Sequence, residues 1–295
     1  AIALTRVCSP ASTPVNGGRK AMRLPTSLQI DLHKTDEDRY QAALFAPADK
    51  RPALFALYAF HHEVARVAES AREPMMHAIR LQWWREAVEG AREGKPRQHQ
   101  TVTALADLFA QHDLPMELFE AIIDAREHDV AGHVFEDIEA LEAYADATAG
   151  NLMRLAARVL GEPHDDLARE AGIAQALTGL LRAIPFHAAL NKVYLPQRLI
   201  DECATTREEI LRDHPGLVIN PAVDILARVA HGHFVQAREL AKPGTALPAF
   251  LPAAPTPLYL KRIAARDFDV FRTPVDIPLY RRQFAILRAS WRGKI

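Results

Sequence analysis

Cysteine is almost absent from this chain. Two occur in 295 residues, Cys8 and Cys203, and they form no CxxC pair. That excludes a disulfide framework and a cysteine-held zinc site, and makes a reducing compartment the default. No apolar run reaches the roughly 18 residues that a transmembrane helix needs. The net charge of −1 creates no global field towards nucleic acid, although a local basic face stays open. P-loop, GxGxxG, GxSxG and HExxH patterns are missing, so no familiar nucleotide, hydrolase or zinc-protease site declares itself. Strand-like alternation and internal repeats are missing too.

Acid is lacking at one end. The first 30 residues hold no Asp or Glu, but carry Arg6, Arg19, Lys20 and Arg23 among Ser, Thr, Pro and Gly. That composition suits a transit peptide, a disordered tail, or a start read too far upstream of Met22. Pro10, Pro14, Gly17 and Gly18 break any amphipathic helix, which favours the last two. Residues 1–26 are therefore set aside as a disordered or non-native extension. Residues 27–295 are expected to form a single domain.

What is present is helical periodicity. An acidic turn, Asp36-Glu37-Asp38, leads into Tyr40, Ala43, Leu44 and Phe45 on one face. Pro47 stops that helix, and Pro52 fits the first turn of the next. The spacing predicts a helix over 58–69, another over 75–91, and two more over 101–111 and 115–130. A long one covers 138–160, ending at Gly161. Asp165 to Arg182 continues the pattern, and Pro185 should kink or end that helix. Thr205 or Thr206 should cap a short helix. Asn220-Pro221 should begin one reaching about Ala241. Phe250 and Leu251 argue that the proline-dense 248–257 segment packs rather than dangles. Helices over 258–266 and 279–291 close an all-α fold of about twelve helices.

Three stretches carry candidate chemistry. In the first, His61, His62, Glu63, Arg66 and Glu69 are clustered. His62, Arg66 and Glu69 share a helix face. They could bind a metal or a phosphate, or form a solvated face with an Arg66–Glu69 pair. In the second, Arg182, His187 and Lys192 could cradle a phosphate, or His187 could simply pack beside the kink. The third, Asp124 to Asp129, offers three carboxylates and His128. It reads as metal-ligand chemistry or as a charged helix end, with Asp124 and His128 on one face. Trp83-Trp84 reads as core plus an interface ring. His231 and His233 point apart on a helix and chelate poorly.

These segments together resemble the squalene/phytoene synthase family of all-α isoprenoid synthases over residues 36–291. The marks are Tyr58-Ala59-Phe60, Trp84-Arg85, Tyr144-Ala145 with Ala149-Gly150 and Met153, Leu180-Leu181-Arg182, and Val193-Tyr194-Leu195-Pro196. The resemblance implies an isoprenoid-synthase-like helical bundle around a central cavity. Active members join two prenyl diphosphates head to head. Aspartates at i and i+4 on two facing helices hold Mg²⁺ against the diphosphates.

Counted from Tyr58-Ala59-Phe60, the first aspartates should fall at Ala65, Arg66 and Glu69. Counted back from Tyr194-Leu195-Pro196, the second pair should fall at Ala183 and His187. The resemblance therefore implies a site without its metal ligands, at the degenerate positions Ala65, Glu69, Ala183 and His187. No cofactor is expected, or Mg²⁺ if the chain is a working synthase. The cavity or anion-binding candidates are Tyr58, His62, Arg66, Glu69, Arg182, His187, Lys192 and Tyr194.

A branch of the family that includes a respiratory complex I assembly factor is similar in further features. These are Glu63, Ala65 and Val67; Arg80-Leu81-Gln82; Pro185 with His187; Pro248-Ala249-Phe250; Asp267-Phe268-Asp269 with Phe271; and Ser290-Trp291-Arg292. It implies a pseudoenzyme with protein partners in respiratory complex assembly and no nucleic-acid partner. The alternatives are a head-to-head prenyltransferase and an isoprenoid- or lipid-binding module. A peripheral membrane contact through the 248–258 segment and the Arg281-Arg282 helix is a further expectation. The place would be the cytoplasm or inner membrane of a bacterium, or the matrix side of a mitochondrion.

Overall fold

Prolines and short polar caps place most of the helix boundaries. In the computed structural model, residues 22, 24–70, 73–129, 133–244, 246–265 and 268–295 are described. Among them there are helices and no strands. They are α1 (Thr26–Thr35), α2 (Glu37–Ala43), α3 (Arg51–Ala65), α4 (Val67–Ser70), α5 (Pro74–Arg92), α6 (Gln100–Gln111), α7 (Met116–Ala125), α8 (Ile138–Ala145), α9 (Asn151–Leu160) and α10 (Asp165–Arg182). There follow α11 (Ile184–Ala189), α12 (Gln197–Glu202), α13 (Arg207–Asp213), α14 (Gly216–Leu240), α15 (Leu247–Phe250), α16 (Thr256–Ile263) and α17 (Leu279–Arg292). The finer division than twelve comes from breaks within expected helices, at Arg66 for instance, and from short elements such as α12.

The caps act as the sequence suggests. Asp36 accepts from the Arg39 amide at 3.2 Å and starts α2. Thr206, rather than Thr205, caps α13 in a reciprocal box with Glu209. Pro185 opens α11 after Ala183 has ended α10. One boundary is different. Asn220 and Pro221 lie inside α14, and the Asn220 amide donates to the Phe268 carbonyl at 2.7 Å instead of capping. The helix starts one turn earlier, at Gly216, so Pro221 falls inside it, past the first turn, rather than at its first position.

Two hydrophobic cores result. One gathers Leu54, Leu57, Phe60, Trp84, Leu105, Phe119, Leu155 and Phe250; the other gathers Leu141, Ile173, Leu177, Ile200, Val223 and Phe268. Helix α10 gives Leu167 and Ala171 to the first and Ile173 and Leu177 to the second, and α14 also contributes to both. Residues 1–21 and 23 of the expected extension lie outside the described residues. Met22 and Leu24 pack on the first core, so the domain takes in a few residues before 27. The 248–258 segment cannot be a membrane contact: Phe250 is 1% exposed and Leu251 is fully buried. No described helix is long and apolar enough to cross a membrane.

Candidate functional site

Buried polarity concentrates where α3, α7 and α8 meet the segment before α12. Asp129 is 3% exposed. Its Oδ1 accepts from the Tyr144 hydroxyl at 2.6 Å and the Tyr194 hydroxyl at 2.8 Å. Its Oδ2 accepts from Arg126 Nη1 at 3.1 Å. The same Arg126 nitrogen lies 2.7 Å from the Tyr144 oxygen. Arg126 Nη2 lies 3.1 Å from His61 Nε2. A guanidinium can only donate, so His61 accepts there and is neutral. Burial, then the charges of Arg39 and Arg126, hold its pKa well below the usual histidine range. His77 Nε2 donates to the Arg126 carbonyl at 2.8 Å.

The turn holding Arg126 and Asp129 explains why this pair points inward. Helix α7 tightens into a 3₁₀ turn over Arg126–Asp129, so side chains three apart eclipse. The expected face shared by Asp124 and His128 is therefore not formed. Asp124 and Glu127 stay at the surface and pair with Arg85 at 2.6 and 2.5 Å. His128 lies against His133, with ring centroids 4.3 Å apart.

Tyr194 lies at the centre of the site. Phe135 stacks on it at 5.8 Å, and the His187 ring is 4.5 Å away. Burial, then Asp129, push the Tyr194 pKa upward. Burial pushes His187 down to about 4, with Asp129 opposing and Lys192 and Arg126 adding to the effect. Its Nδ1 is buried without a hydrogen-bond partner among the described residues. Lys192 donates to the Ala68 carbonyl at 3.2 Å, and burial lowers its pKa. That bond ties the second candidate segment to α4, the end of the first, so the two stretches do converge.

Not every candidate converges with them. Tyr58 is buried on α3 and its hydroxyl has no partner among the described residues; it feels Arg39 and Asp36. His62 is half-buried with an unpartnered Nε2, and burial, then Arg66, lower its pKa. Arg66 and Glu69 are exposed and pair at 3.7 Å. Arg66 also lines a surface cleft with Glu63, Arg80 and Trp83. Arg182 is carried to another face, its guanidinium 3.7 Å from the centre of the Tyr259 ring. The cradle of Arg182, His187 and Lys192 is thus split by the break at Ala183. Arg126, Asp129 and His61 take the central place; the sequence signal for the first two was the acidic Asp124–Asp129 run, and for His61 the cluster on the first candidate stretch. Trp84 is core and Trp83 partly buried beside it. His233 bridges Glu170 at 2.5 Å and Glu142 at 3.0 Å, tying two helices together away from the site. Among the described residues no group of His, Cys, Asp and Glu is disposed to hold a metal ion.

This arrangement of helices is the isoprenoid-synthase fold. A dehydrosqualene synthase structure superposes with a TM-score of 0.76 at 17% identity, covering 90% of this chain and 95% of that one. A squalene synthase from Alicyclobacillus acidocaldarius gives 0.64 at 20% identity, over 92% and 97%. The family model for squalene/phytoene synthase matches residues 32–281, and the chain belongs to that family. It is 31% identical over 271 residues to the Homo sapiens NADH dehydrogenase (ubiquinone) complex I, assembly factor 6, covering 88% of this chain and 80% of the relative. It is also 32% identical over 171 residues to a presqualene diphosphate synthase of Rhodopseudomonas palustris, covering 57% of this chain and 61% of that protein.

Proposed function

We propose that this chain is a non-catalytic member of the family that acts as an assembly or interaction factor for respiratory complex I. The observation that carries the reading is the state of Asp129. It is the buried carboxylate of the site, and it already accepts hydrogen bonds from Arg126, Tyr144 and Tyr194. Mg²⁺ takes near-octahedral oxygen ligands, usually from carboxylates, water and phosphate. The converging segments offer Ala65, Arg66, Ala183 and His187 at the spaced positions, with Glu69 paired to Arg66. These residues do not fit a magnesium cluster. Lys192 and Arg126 instead leave a site with more positive than negative charge. The human relative's name supplies the partner system.

The decisive assay is pyrophosphate release from farnesyl or geranylgeranyl diphosphate with Mg²⁺. No release above the protein-free blank is expected, and turnover at ordinary synthase rates would sink the reading. The variant A65D/A183D/H187D asks how far the loss extends: activity regained there means that only metal ligands are missing. Deleting the gene in its host should lower assembled complex I on native gels. Unchanged complex I removes the assembly role. The second reading is a head-to-head prenyltransferase, favoured by the presqualene diphosphate synthase relative.

A further inference from the structure

Helix α17 presents to the outside an apolar stripe that is left exposed among the described residues. Tyr280, Phe284, Leu287 and Trp291 are 70%, 64%, 53% and 89% exposed. At about 100° per residue, their spacing of four, three and four keeps them within an arc of roughly 60°. Ile286 and Ala289, which are buried, and Arg282 lie on the opposite side. Arg282 is held there by Asp38 at 2.5 Å and Glu37 at 3.6 Å. The stripe therefore points away from the core rather than along its edge. Phe45, 39% exposed, extends the apolar surface beside it.

The charge on this helix has one sign. From Leu279 to Ile295 there is no Asp or Glu. Arg281, Arg288 and Arg292 are all exposed, and they fall on one flank of the stripe, at about 80–120° from Tyr280. Lys294 follows. None of these four forms an ion pair among the described residues. An apolar row with Tyr and Trp near its two ends, beside a row of arginines, is the composition of a helix lying in the interface of an anionic bilayer. The aromatic rings enter the headgroup boundary, and the guanidinium groups meet phosphate.

We propose that α17 docks the protein flat on an anionic lipid surface, with Phe284, Leu287 and Trp291 inserted and Arg281, Arg288 and Arg292 on the headgroups. A second copy of the chain fits this face poorly. Pairing two stripes brings arginine rows together with no carboxylate on the helix to offset them. The face serves a catalytic and a non-catalytic chain equally, so it stands or falls apart from the assembly role.

The test is co-sedimentation of the full chain with vesicles of phosphatidylcholine, with or without about a third phosphatidylglycerol. Binding to the anionic vesicles, weakened by salt, is expected. R281A/R288A/R292A should lower the partition coefficient on the order of a hundredfold, from roughly fivefold per arginine. F284S/W291S should lower it at least about tenfold. These side chains are exposed, so thermal unfolding should stay unchanged; if the serine variant misfolds, the arginine variant still decides. Wild-type protein left in the supernatant with anionic vesicles overturns the proposal. So does wild-type binding by both variants, or a dimer on sizing that F284S/W291S breaks.

Discussion

Replacing Asp129 with alanine strands the Arg126 guanidinium in the interior. An unpaired buried charge costs about 3–5 kcal/mol, far more than the net worth of the pair. Urea denaturation at neutral pH should show a loss of that size. Tyr194→Phe removes one of three donors to Asp129 and should cost only about 1 kcal/mol. Equal small effects would mean that the network is not closed to water. His187 makes a prediction of the opposite kind, because it is buried neutral. Its folded pKa of about 4 lies below the unfolded histidine value. The unfolded chain therefore binds the extra proton first as pH falls. Stability from this group is complete above about pH 6.5 and drains away as pH falls towards 4, by at most about 3 kcal/mol. His61 and His62 are shifted in the same direction. His187→Gln should thus flatten the stability–pH curve between those limits without abolishing its slope. An unchanged slope in the variant rules out a neutral buried His187.

Helix α10 contains two glycines whose fates should differ. A Cβ on Gly172 would lie 2.4 Å from the Gly150 nitrogen, 2.5 Å from the Gly150 Cα and 2.9 Å from the Ala149 carbonyl carbon. All three are backbone atoms, at the π-helical turn Asp146–Gly150 that joins α8 to α9. The helices touch main chain to main chain, so the neighbours cannot give way. Gly172→Ala should destabilise by about 1–3 kcal/mol despite the better helix propensity of alanine. A Cβ on Gly179 would meet nothing within 4 Å. Gly179→Ala should stabilise by about 0.5–1 kcal/mol. The pair is read from two urea midpoints; a gain at Gly172 would contradict the close approach. Elements of this kind were legible where their cause is local. Pro52, Pro185 and Gly161 declared their boundaries in sequence, and Thr206 was one of two candidate caps for its helix. The 3₁₀ turn at Arg126 and the start of α14 before Asn220 were not legible, because packing against distant helices selects them.

At the scale of the molecule, α10 and α14 join two cores, and the Arg126–Asp129 network lies where the candidate segments of the first and second halves meet. The sequence by itself determined the all-α class, most helix ends and the family landmarks Tyr58, Trp84, Tyr144 and Tyr194. Those rest on 3.6-residue periodicity, caps and residue identity, which are properties of neighbouring residues. Only the tertiary structure decided which charges go inside. It took Asp129 inward and left Asp124 with Arg85 at the surface. It parted Arg182 from His187 and laid it on Tyr259. It buried Phe250 and turned Trp291 outward, although both are aromatic residues in helices. Burial of a polar or aromatic side chain depends on partners brought from far along the chain. Spacing within one helix places residues on a shared face, but does not say what that face meets.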